Sequence, residues 1–103
     1  MSTALAVTVL SLIAAPPLSV ELLLQNHQFH PDRLVVPAGT KFVLQIRNAD
    51  DAAEEIESYA LNREQKVGSA RTLTLYLGPL TTGLYDLYGE DHPDIAQATI
   101  EVR

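Results

Sequence analysis

The stretch Gly83–Gln97 reads GLYDLYGEDHPDIAQ. Leucine and tyrosine crowd Leu84 to Tyr88, side chains that suit a pleated, half-buried surface, so a strand is expected there. Glycine, acidic residues and His92-Pro93 then break the pattern into a short turn holding a single histidine. Beyond it, Ala98-Thr99-Ile100-Glu101-Val102 alternates apolar with polar and reads as a last strand. This end of the chain is β.

The same grammar runs back toward the N-terminus. Gly78-Pro79-Leu80-Thr81-Thr82-Gly83 is turn chemistry, and Tyr85 follows it in the Leu-x-x-Gly-x-Tyr context of a tyrosine corner, where the hydroxyl ties back to the turn. Arg71 to Leu77 sets Leu73, Leu75 and Leu77 on one face and Thr72, Thr74 and Tyr76 on the other. Lys41 to Asn48 does likewise, with Phe42, Leu44 and Ile46 opposite Lys41, Gln45 and Arg47. Val20 to Gln25 is a first strand, and Asn26-His27-Gln28 begins a turn. Pro31 and Pro37 lack a ladder donor and confine the piece between them to an edge or crossing, with Ala38-Gly39 as the turn after it. Asn48 to Ser58 is a loop and the start of a strand carrying five carboxylates. For Tyr59 to Val67, periodicity leaves a helical turn and an irregular crossover both open. The expected fold is an all-β sandwich.

Composition narrows the function classes. The chain has 103 residues, room for one domain. The first twenty residues contain no Asp, Glu, Lys, Arg or His, and Ala4 to Ala15 has the length of a signal-peptide apolar region, too short to span a bilayer comfortably. Residues 1–19 are therefore expected to direct export and 20–103 to form the domain. The run lacks a basic residue after Met1, and Ala6 to Leu10 also reads as strand sequence. All charged residues fall in 20–103, which carries the net charge of −6. That charge argues against a nucleic-acid partner, since backbone recognition needs a positive surface. Cysteine is absent, which removes a thiolate ligand, a Cys nucleophile and thiol redox chemistry.

From Val20 to Arg103 the chain resembles cupredoxins. Gly89-Glu90-Asp91-His92-Pro93-Asp94-Ile95 has the spacing of an amicyanin-like copper loop, Cys-x-x-His-Pro-x-Met, with glycine in place of the thiolate and isoleucine in place of the thioether. Phe29-His30-Pro31 through Gly39-Thr40 fits the cupredoxin opening. Glu55-Ile56-Glu57-Ser58 and Leu61-Asn62-Arg63-Glu64 are more specific and are similar to the cupredoxin-like proteins accompanying bacterial iron permeases, the EfeO-like and FtrB-like group. Leu87, Tyr88 and Ala98 depart from that group's usual residues. The resemblance implies a Greek-key cupredoxin-like sandwich of about six to eight strands. It also implies a periplasmic location and a role in iron uptake, by binding the metal or helping to oxidise it.

A type 1 copper site takes two histidines, a cysteine and a methionine. On the resemblance the late histidine is His92, while the place of the early one offers Glu54, Glu55 and Glu57. The implied cluster is one or two carboxylates plus one imidazole, with Glu90 and Asp91 beside it. Glu57, Glu90 and His92 are the leading ligands, with Glu55 and His27 in reserve. Such a site suits iron or Cu(II) and disfavours type 1 copper. Plainer readings stand beside these. His92 caps its own turn; Glu55 and Glu57 lie on a solvated face or pair with Arg63 and Lys66; Asp50 and Asp51 form a turn; His30 is a surface residue. No nucleophile context surrounds Ser58 or Ser69 and no phosphate loop is present, so the chain is not expected to be an enzyme. An iron permease or a periplasmic iron-uptake protein is the implied partner. The alternative is a metal-free module docking a basic patch through its acidic loops. A monomer or a weak dimer is expected.

Overall fold

Alternating side chains need a second apolar face to pack on, and the chain supplies two sheets. They are seen in a computed structural model that describes residues 3–8 and 17–103. Much of the expected export segment lies outside those residues; Thr3 to Thr8 are exposed and belong to no strand.

Nine strands follow: β1 (Leu18–Gln25), β2 (Gln28–His30), β3 (Arg33–Val36), β4 (Phe42–Asn48), β5 (Glu54–Ser58), β6 (Arg63–Val67), β7 (Thr72–Leu77), β8 (Gly83–Gly89) and β9 (Gln97–Val102). One sheet has the order β2-β1-β4-β7, the other β3-β9-β8-β5-β6. The β1–β4 and β3–β9 pairs are parallel, so the chain crosses between sheets rather than only making hairpins. The count exceeds the six to eight expected because two short strands are added: β2, three residues long, lies in the expected turn out of the first strand, and β3, four residues long, lies in the expected edge or crossing between Pro31 and Pro37. Pro31 and Pro37 do follow edge strands, and Gly39 turns with φ 71°. The undecided stretch resolves into a turn at Tyr59–Asn62 and then β6.

Between the sheets, Leu22, Leu24, Phe42, Leu44 and Ile46 meet Val36, Ile56, Leu87, Ile100 and Val102, all buried. The leucines of β7 close that core, and the Tyr85 hydroxyl donates to the Thr81 carbonyl at 2.8 Å, as a tyrosine corner does.

One end of the sandwich is tied by polar side chains. Asn48 is wholly buried, and its Nδ2 donates to the Ala52 and Val67 carbonyls while its Oδ1 accepts from the Asp50 N–H. Ser58 Oγ donates to the Asp86 carbonyl at 2.6 Å and accepts from the Leu61 N–H, fixing the turn into β6. Asn48 braces the β4–β5 loop against β6, at the end of the sandwich that also carries the turns β1–β2 and β8–β9. That is where the histidines are.

Candidate metal centre

Gln25 pairs with Gln28, so Asn26 and His27 form a two-residue hairpin loop, with φ of 53° and 60°. Two successive left-handed residues define the turn whose twist suits a hairpin, and its second position ordinarily takes glycine. A histidine there is strained unless something holds it. Asp50 does so: its Oδ1 accepts from the Asn26 N–H at 2.7 Å and its Oδ2 from the His27 N–H at 2.9 Å. Burial opposes the charge on Asp50, but those two N–H groups and the nearby His27 and His92 outweigh it and hold the carboxyl below its ordinary value of 3.8.

The β8–β9 loop delivers the second imidazole. The Gly89 N–H donates to the Ala96 carbonyl, the Ala96 N–H to the His92 carbonyl and the Glu90 N–H to the Glu55 carbonyl, each at 2.8 Å. Asp91 Oδ2 accepts from the Glu55 N–H at 3.0 Å, which pins the loop to β5. So held, the His92 ring stacks on the His27 ring with centroids 3.6 Å apart and planes 14° apart.

Glu54 completes the group. In β5 the buried side is Glu54, Ile56 and Ser58, and Glu55 and Glu57 face the other way. Glu54 is 2% exposed; its Oε2 lies 3.0 Å from His92 Nδ1, and its Oε1 has no partner. An unpartnered buried carboxylate oxygen is costly, and beside two imidazoles it is a ready ligand. One donor atom from each of His27, Glu54 and His92 lies within 4.8 Å of the others.

The other candidates lie elsewhere. Glu55 and Glu90 gather with Glu64 in a second group of the same span on the outer side of β5 and β6. There the Glu55 carboxylate, as hydrogen-bond partner and like charge, raises Glu64 above its ordinary value of 4.5. Glu57 belongs to neither group; it sits near Tyr88, whose hydroxyl is pushed above its ordinary value by burial and then by Tyr59 and Glu57. Among the described residues, no ion pair joins Arg63 or Lys66 to a glutamate; Arg63 donates to the Leu61, Asn62 and Tyr76 carbonyls instead. His30 is exposed on β2. Glu54 stands among the three glutamates at the place of the early histidine but outside the expected ligands, although its parity with Ile56, two residues on, is the signal that turns it inward.

A type 1 copper site does not fit here. The chain has no cysteine, and a Cβ on Gly89 would overlap Glu54 Oε1 and lie 2.9 Å from Ala96 Cβ. A site of two imidazoles and one carboxylate does fit the donors present, and it suits borderline divalent ions.

Residues 2–102 match the family described as Cupredoxin-like domain, and the chain belongs to it. An uncharacterized protein of Rickettsia prowazekii (strain Madrid E) is 41% identical over 85 residues, 82% of this chain and 68% of that one. The fold is shared with the metal-binding domain of the Cu(I)-exporting P-type ATPase CopA of Streptococcus pneumoniae, determined with Cu(I). That likeness has a TM-score of 0.73 and 11% identity, covering 82% of this chain and 84% of that one. It is also shared with auracyanin A, a blue copper protein of Chloroflexus aurantiacus, at TM-score 0.72 and 11% identity over 85% and 100% of the two chains. Among the described residues, no helix is long and apolar enough to cross a membrane.

Proposed function

We propose that this chain is an exported metal-binding protein, not a blue-copper carrier and not an enzyme, that holds one transition-metal ion between His27, Glu54 and His92. The observation that carries this reading is the buried Glu54 oxygen left without a partner beside two imidazoles on separate loops. Copper is the ion that structures of this fold name. The resemblance to iron-permease companions adds Fe(III) to the ions worth testing and a periplasmic iron-uptake system as the setting, with a permease or its accessory protein as partner.

Coordination has a structural consequence. An imidazole binds metal along a lone pair in the plane of its ring, and two nearly parallel rings 3.6 Å apart cannot both aim at one ion. Loading the site must open the stack.

The test is calorimetric titration of the purified protein with Cu(II), Zn(II) and Fe(III), repeated on His92→Ala, with the Zn(II) titration followed by NMR of the histidine rings. Expected are a single site, an affinity loss of about tenfold or more in the variant, and ring-proton shifts of both histidines as the stack opens. If no ion binds, the site is empty of function and the acidic loops become the surface by which a metal-free module docks a basic partner.

A further inference from the structure

Gly89 and Glu54 come from different strands and share one space. Any Cβ at position 89 would overlap Glu54 Oε1 and come within 2.7 Å of its Cδ. Gly89 has no positive φ that would call for glycine, so its bareness is explained by the carboxylate that fills the room. The result is a buried acid inserted beside His27 and His92.

The charges and donors around that acid favour one kind of cation. The two side-chain nitrogens and one oxygen are borderline to hard, and the sequence holds no cysteine and no methionine beyond Met1, so no soft sulfur is at hand. Soft ligands are what select Cu(I), whereas imidazole and carboxylate suit Cu(II) and Zn(II), with Cu(II) the tighter of the two. Asp50 adds a second carboxylate, its Oδ2 3.6 Å from His27 Nδ1. Two carboxylates balance a double positive charge, and a carboxylate in a buried setting attracts a dication about twice as strongly as a monocation.

Taking the site as the metal centre proposed above, we propose that it selects a divalent borderline cation, Cu(II) foremost, over Cu(I). Glu54 makes that selection from the space Gly89 leaves open. Cu(I) would draw its bonding from the two imidazoles and gain little from Glu54, so loss of the carboxylate should weaken Cu(II) far more than Cu(I).

The experiment measures both oxidation states on the full chain, Cu(II) by competition with a calibrated chelator and Cu(I) likewise without oxygen. The proteins are wild type, Glu54→Gln and Gly89→Ala. Glu54→Gln removes the charge at nearly constant shape, and Gly89→Ala displaces the carboxylate while keeping it in the chain. Thermal melting of each variant reports whether it is folded, and Glu54→Gln alone suffices if the alanine variant is not. Wild type is expected to prefer Cu(II) by about a hundredfold or more, a preference that falls by about tenfold or more in either variant with Cu(I) affinity nearly unchanged. Equal losses for both ions, or a wild type that prefers Cu(I), overturn the selection by Glu54 and leave metal binding standing. Binding of neither ion removes the metal centre itself, and this inference with it.

Discussion

His27 carries two demands on one residue. Its backbone sits at φ 60° in the second position of a two-residue hairpin loop, where glycine fits without cost. Its ring stacks on His92 at the candidate site. A strained residue that also supplies a metal-binding side chain is the pattern of a functional compromise. Replacing His27 by glycine or by alanine removes the ring equally, so the difference between the two variants isolates the backbone. His27→Gly is expected to be more stable than His27→Ala by about 1 kcal/mol, read as the gap between their urea-unfolding free energies. Equal stabilities would mean that the turn carries no strain there. Both variants should bind metal weakly, and alike.

Among elements, the β4–β5 loop organises the site. Asn48 braces it from within, at the Ala52 carbonyl, and against β6, and Asp50 ties it to the β1–β2 turn. Asp50→Ala leaves two N–H groups of that turn without their acceptor, and a loss of about 2 kcal/mol is expected at neutral pH. The sign of the pH dependence follows from the lowered Asp50 value. A carboxyl more acidic folded than unfolded stabilises the fold above its ordinary value and loses that contribution as the pH falls through its folded value. The gap between wild type and Asp50→Ala should therefore persist down to about pH 5 and shrink below about pH 4. A gap that widens on acidification would contradict the role given to the carboxylate. The strands that frame this loop were legible in the sequence because Phe42, Leu44 and Ile46, and again Leu73, Leu75 and Leu77, alternate without interruption. β6 was not, since four of its five residues are exposed at a sheet edge and leave no apolar period. The site was half legible. His27 and His92 stood out by type, but the choice among Glu54, Glu55 and Glu57 depends on which face of β5 points inward, and only Ile56 records that.

At the scale of the molecule, each sheet contains one parallel pair that brings distant segments into register, β1 with β4 and β3 with β9, and β1 is where the domain and the apolar N-terminal segment meet. The boundary expected between residues 19 and 20 falls inside a strand: β1 begins at Leu18, with Leu18 opposite Phe42 and Ser19 opposite Val43. Both residues are exposed, so their contribution is the end of a ladder and not the core. Leu22 and Leu24 supply the buried part, in a run that pairs along β4 as far as Asn48. A chain starting at Val20 should consequently fold to the same sandwich as one starting at Leu18. It should be less stable by about 1 kcal/mol, the net worth of one or two backbone hydrogen bonds at the end of a strand. For a domain of this size that corresponds to a melting temperature lower by about 4–8 °C. The comparison is a pair of thermal melts. Failure of the shorter chain to fold would show that the first pairs of β1 nucleate the parallel ladder, and identical melts would show that β1 frays there in solution. Because the buried residues of β1 lead directly into the Asn26-His27 turn, metal affinity should be the same in both chains.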